Sequence, residues 1–365
     1  LPQKRVGFLG EYTMHRSSKN HIRLFKKLRG RILIYLGALT LFKGVVLENL
    51  SNLVISTAHS QLSHIENLEK FEESDHDLSE HFKHHFELGG ENLLNSKDIA
   101  ELKKYKIIFI PGYFSDFTVN WTPVKYFKSA QDVLLKRGLI ETIDFERKLL
   151  YSQSPTEENI PYIKDWIEQS PKKVIIIGHS KGGRDTLMTI AKHPSLQSKV
   201  AGIITIQSPF KGTPLASAIS NSYWMSLGFN SLLRLMGGHR DSLLEFNDDI
   251  ACAQFEKIKN DLHQFEFPIV NFASYLYDNQ DMSIFVLRPF YNMMKGLYEK
   301  NNVLSDGLVP TLSALLPENK NIYHIIAGGY DHTDLVVSYG SRGQRKKFFE
   351  SILKTFVDNV LLKNK

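Results

Sequence analysis

Val174-Ile-Ile-Ile-Gly-His-Ser-Lys-Gly-Gly183 decides the fold. Four consecutive β-branched residues read as a strand buried on both faces. The spacing from Lys181 to Lys192 then reads as a helix, so Gly178-His179-Ser180-Lys181-Gly182 is a G-x-S-x-G turn between strand and helix. A turn that sharp brings the positions two before and two after the serine together. Side chains there collide, which explains Gly178 and Gly182. Ser180 is forced into a strained backbone conformation that exposes its hydroxyl above the sheet.

The flanking sequence repeats the same alternation. Lys106–Ile110 reads as a buried strand, Lys125–Arg137 as a helix, Thr156–Gln169 as a helix and Lys173–Ile177 as a strand. Val200–Ile206, Pro268–Leu276 and Asn321–Ala327 read as further strands, and Gln344–Leu362 as a closing amphipathic helix. Such alternation predicts an α/β fold with a doubly wound, mostly parallel sheet. The stretch Leu215–Leu262 interrupts it. Rich in Leu, Met and Phe with Trp224, it reads as a helical lid inserted in the α/β domain expected over 101–365. Phe285, Phe290, Tyr291, Met293 and Met294 are candidates for the same opening.

A serine hydroxyl acting as a nucleophile needs a base, and the base needs an orienting carboxylate. The histidines after Ser180 are His193, His239, His263, His324 and His332. His332 follows the last strand in a loop opened by Gly328-Gly329, where a catalytic base belongs, whereas His324 lies inside that strand. Asp306, in Ser305-Asp-Gly-Leu-Val-Pro310, is the first candidate for the acid, with Asp281 second and Asp278 also in range. Two N–H groups are expected to receive a developing oxyanion. One is that of Lys181 at the start of the helix; the other is that of Tyr113, after the strand ending Ile110-Pro-Gly112.

The elbow, Asp306-Gly-Leu-Val-Pro310, His332-Thr-Asp-Leu-Val336 and Ser208-Pro-Phe-Lys-Gly-Thr-Pro-Leu-Ala216 together resemble bacterial triacylglycerol lipases, over roughly residues 105–339. The resemblance implies the α/β-hydrolase fold, hydrolysis of lipid-like acyl esters, a helical lid, and Ser180, Asp306 and His332 as nucleophile, acid and base. Thioester hydrolysis or acyl transfer would use the same residues, and a binding protein on this fold would need none of them. Two departures stand out. The oxyanion strand in these lipases commonly ends in His-Gly, and here it ends in Pro111-Gly112. Asp334 matches an aspartate of their frequent calcium site, but Ser338 stands where that site has glutamine, and no second carboxylate is evident. No metal or other cofactor is therefore expected.

The N-terminal hundred residues have no counterpart in that resemblance and read as a separate helical extension, basic and apolar first, acidic and His-rich later. Residues 1–31 carry nine Lys/Arg against Glu11, more than the whole chain's net +6, so the remainder is slightly acidic. A folded nucleic-acid-binding face is thereby disfavoured. The basic arm precedes the apolar Ile32–Phe42, an order suited to peripheral contact with an anionic membrane, although it also imitates a signal peptide. No apolar run reaches the ~18 residues of a membrane span. With a single cysteine, Cys252, no internal disulfide forms. The expected location is cytoplasmic or peripherally membrane-associated, with export left open. His81, His84 and His85 share a helical face, but the acidic, solvated surroundings and the lack of a matching cluster argue against a metal site.

Overall fold

The computed structural model describes residues 76–89, 93–113, 115, 126–139, 143–144, 154–221, 240–277, 291–292, 294–295, 304–337 and 342–363. The chain divides into two compact units, residues 1–54 and 55–365. The basic arm and the run Ile32–Phe42 lie outside the described residues, as do Asp278, Asp281, Phe285, Phe290 and Met293.

In chain order the elements are α1 (Ser79–Leu88), α2 (Ser96–Leu102), β1 (Lys106–Ile110), α3 (Lys128–Lys136), β2 (Ile143–Asp144), α4 (Thr156–Glu168), β3 (Val174–His179) and α5 (Lys181–Lys192). There follow β4 (Val200–Ile206), α6 (Pro214–Asn221), α7 (Arg240–Leu244), α8 (Asp248–Leu262), β5 (Ile269–Tyr275), α9 (Thr311–Ala314), β6 (Ile322–Gly328) and α10 (Arg342–Phe356). The strands form one sheet in the order β2-β1-β3-β4-β5-β6, every neighbouring pair parallel. From β1 the chain first steps outward to β2 and then returns to β3 on the other side. The β1/β3 crevice is thus the switch point where such sheets bind ligands, beyond the carboxyl ends of the strands.

The alternation of side chains along each strand divides the core in two. Ile107, Phe109, Ile175, Ile177, Ile204, Ile206, Val270 and Phe272 pack on one face with Phe82 of α1, Val133 and Leu134 of α3, and Phe348, Ile352 and Phe356 of α10. Ile108, Ile110, Val174, Ile176, Ile203 and Ile269 pack on the other with Ile163 and Ile167 of α4, Leu187 and Ile190 of α5, and Phe255 and Ile258 of α8. Helices on both faces explain why the strands lack the polar alternation of a half-exposed sheet.

Two sequence expectations are corrected. The boundary at residue 100 cuts into the core, because Leu78, Phe82, Leu94 and Leu102 are buried in the first cluster. Phe82 meets Phe272 of β5 and Phe348 of α10 edge to face. Asp77 bridges to His324, so the chain at 76–78 lies along β6. Asn95 caps α2 by accepting from the N–H groups of Lys97 and Asp98, while Asp98 accepts from Asn95 N–H. The lid expected over 215–262 is also corrected at its C-terminal end. Its last part is α8, whose Phe255, Ile258 and Leu262 belong to the core of the sheet. Its middle, residues 222–239 with Trp224, lies outside the described residues.

Candidate active site

Ser180 sits between β3 and α5 with φ 53° and ψ −125°, a backbone region that ordinary side chains avoid. Surrounding backbone holds it there. A Cβ on Gly178 would lie 2.5 Å from the Cα of Gly183, so the strand end and the first helical turn touch backbone to backbone. A Cβ on Gly178 would also come 2.9 Å from the carbonyl carbon of Gly182, and one on Gly182 would strike the carbonyls of Ile110 and Pro111. The second glycine of the motif therefore answers to the end of β1, a packing requirement the motif alone does not reveal. Gly112 completes the contact from the other side, since a Cβ there would come 2.7 Å from Ser180 Cβ.

The three residues expected as nucleophile, base and acid meet at this crevice. His332 Nε2 is 2.9 Å from Ser180 Oγ, and His332 Nδ1 is 2.8 Å from Asp306 Oδ2. All three are buried, Ser180 and His332 with a little exposure and Asp306 almost none. Asp306 Oδ1 accepts from the N–H groups of Leu308 and Val309, at 3.0 and 2.8 Å. These bonds explain the sequence after it: Gly307 has φ 95°, and that turn folds the backbone donors of the Asp306–Val309 segment onto the carboxylate. The carboxylate is satisfied on one oxygen by backbone and presents the other to the imidazole. Ionised, it favours the Nδ1–H tautomer of His332 and leaves Nε2 as an acceptor toward Ser180.

Lys181 follows Ser180 directly, and Tyr113 follows Gly112, which packs against Ser180. Lys181 is the first residue of α5, so its N–H has no carbonyl four residues earlier within the helix. Its ammonium is turned into a buried ion pair with Asp185, which also accepts from Thr156 Oγ1 and Asn159 Nδ2 of α4. The Tyr113 side chain points away from the sheet end. Its hydroxyl is 2.7 Å from Ser242 Oγ of α7 and its ring meets Phe246 edge to face. Burial pushes that phenol up to about 12. No group of three or more His, Cys, Asp or Glu residues suited to a metal ion occurs among the described residues. His85 of the histidine-rich helix is 2.9 Å from Thr355 Oγ1 and 3.5 Å from Asp358 of the closing segment.

Four residues that sequence reasoning missed surround His332. The carbonyls of Tyr330, Asp331 and His332 each accept from a side chain at the end of a different strand. Ser274 of β5 donates to Tyr330 at 3.1 Å, Gln207 just after β4 to Asp331 at 2.9 Å, and His179 of β3 to His332 at 2.8 Å. Gln207 itself has φ 51°. The fourth residue, Tyr126, hydrogen-bonds His179. Position at the carboxyl end of a parallel strand was the available signal for the first three. Nothing in the sequence marks Tyr126.

The PGAP1-like alpha/beta domain model matches residues 144–227, the segment from β2 through the elbow to the start of the insertion. Among solved structures, the metagenomic carboxyl esterase MGS0156 is similar at 17% identity over 71% of this chain and 77% of its own, with a TM-score of 0.53. The mature form of the Bacillus licheniformis lipase BlEst2 is similar at 17% identity over 64% of this chain and 86% of its own, with a TM-score of 0.45. No curated protein sequence matches. No helix among the described residues is long and apolar enough to cross a membrane. The parallel sheet, the elbow at its switch point and the likeness to the esterase make this chain an α/β-hydrolase by fold.

Proposed function

We propose that the chain is a serine ester hydrolase acting on lipid-like acyl esters, with Ser180 as nucleophile, His332 as base and Asp306 as acid. One observation carries the reading: the unbroken hydrogen-bonded line from Ser180 Oγ through the imidazole to Asp306. In the first step His332 Nε2 takes the hydroxyl proton as Ser180 Oγ bonds to the ester carbonyl carbon. The imidazolium then gives that proton to the departing alcohol, leaving an acyl-enzyme. Water deprotonated by the same nitrogen cleaves it. Asp306 holds the ring and stabilises its positive form. The N–H groups of Tyr113 and Lys181 receive the oxyanion, each such donor being worth roughly 10²–10³ in rate. The carboxyl esterase named above supports esters as the substrate class, and the lipase-like segments around Asp306, His332 and Ser208 support acyl chains.

A fluorophosphonate probe tests the nucleophile. Wild type is expected to be labelled once, on Ser180, and folded Ser180→Ala not at all. Labelling of the folded variant at the wild-type rate would remove Ser180 from the role.

A further inference from the structure

The x residue before the serine of a G-x-S-x-G turn is free to vary as far as the turn is concerned. Here it is His179, fully buried and hydrogen-bonded at both ring nitrogens. The directions of those bonds can be worked out. His332 O is a carbonyl and can only accept, so His179 Nε2 carries the hydrogen, at 2.8 Å. A neutral ring protonated at Nε2 has a bare Nδ1, so Tyr126 Oη must donate to it. The same Tyr126 oxygen accepts from the Gly112 N–H at 3.1 Å. One directed line therefore runs from Gly112 N–H to Tyr126, to His179, to the carbonyl of His332. The Gln207 side chain also interacts with the His179 ring. No step of the line can be reversed while the ring is neutral. Burial, aided by the nearby His332, holds the His179 imidazole well below its ordinary range and so keeps it neutral.

The three ends of this line are the three parts that the proposed reaction needs in register. Gly112 N–H lies in the Pro111–Gly112 peptide plane, one plane before that of the Tyr113 N–H, so holding it restrains the loop that carries the Tyr113 donor. It also occupies the Gly112 hydrogen, leaving Tyr113 as the donor toward Ser180 on that loop. His179 is covalently next to Ser180. The His332 carbonyl belongs to the residue whose imidazole moves the proton. We propose that His179, with Tyr126 as its partner, is a positioning residue that locks the oxyanion loop, the nucleophile and the base loop into one geometry. The proposal rests on the triad reading given above. His179 touches neither substrate nor the transferred proton; it acts through Tyr113 and His332. Misplacing reacting groups by about 1 Å costs on the order of 10² in rate, so the expected effect lies on kcat.

Three variants test this. Tyr126→Phe keeps the ring, which packs against Phe127 and His179, and removes only the hydroxyl. His179→Leu removes both hydrogen bonds. His179→Gln restores a donor in the position of Nε2 toward the His332 carbonyl but offers nothing to Tyr126. With a p-nitrophenyl ester, kcat is expected to fall roughly 10–100-fold for Tyr126→Phe and most for His179→Leu, with KM within about twofold. His179→Gln is expected to recover a large part of the His179→Leu loss. A merely structural role would instead lower the melting temperature without this kcat-only pattern, and without rescue by glutamine. Wild-type kcat in folded Tyr126→Phe would overturn the proposal, as would equal activity of the Leu and Gln variants. Should His179→Leu not fold, Tyr126→Phe decides alone. Wild type unreactive toward both ester and fluorophosphonate would instead defeat the triad reading.

Discussion

Ser180 and His332 are legible in the sequence because each stands just beyond a strand end, and Asp306 because of the short Asp-Gly-Leu-Val-Pro segment it opens. Asp306→Asn is expected to lower kcat by about 10⁴ with the fold intact, because an amide no longer selects the Nδ1–H tautomer of His332. Ester turnover beside a far-UV spectrum measures it, and turnover within tenfold of wild type would send the search to Asp278 or Asp281. The glycines teach a different lesson. The motif predicts that Gly178 and Gly182 come close, and a Cβ on Gly178 would lie 2.9 Å from the Gly182 carbonyl carbon; Gly182 must in addition clear the carbonyls of Ile110 and Pro111. Its tight contact is with a strand some seventy residues away, which a local reading cannot reach. Tyr126 is illegible for the same reason: its partners Gly112 and His179 are brought to it only by the crossing of chain segments.

At the level of elements, strand β4 and helix α5 end where the β-branched run and the helical spacing say they should. The two-residue edge strand β2 is too short to leave a periodic trace. Helix α8 was expected in a lid because an apolar stripe declares that something covers it, not whether that partner is substrate or sheet. Strand β6 carries a further consequence. Thr205, Asn271 and His324 lie side by side across β4, β5 and β6. Asn271 donates to Thr205 Oγ1 and the Ala314 carbonyl, accepts from Leu316 N–H, and lies 3.3 Å from His324 Nδ1. Burial lowers His324 to about 4, with Asp77 pulling it up and His76 and Lys211 pushing it down. The unfolded chain, with histidine near 6.5, then binds more protons than the folded one between those values, so stability falls as pH drops from about 6.5 to about 4. The loss is on the order of 3 kcal/mol. His324→Gln is expected to flatten that part of the profile. Urea midpoints at pH 7 and pH 4.5 measure it, and an unchanged slope in the variant would place the acid sensitivity elsewhere.

Among the described residues, one sheet supports the two main hydrophobic layers, and its strand ends support the site. The loop bearing His332 is not an independent flap. Its three successive carbonyls are held by Ser274, Gln207 and His179, at the ends of β5, β4 and β3, and the His332 N–H donates to the Asp306 carbonyl at 3.0 Å. The Gln207 and His179 bonds are buried and the Ser274 bond partly so, all at inner strands of the sheet, where opening is expected mainly with the global transition. Heating should therefore leave the base in place until the sheet itself gives way. The temperature of half-inactivation in a short assay is expected to coincide with the calorimetric melting temperature. Activity vanishing ten degrees earlier would show that the loop loosens by itself. For the proposed reaction, a site fastened in this way is expected to lose turnover only as the sheet itself is lost, so tolerance to heat gained by strengthening the sheet is expected to pass to the chemistry.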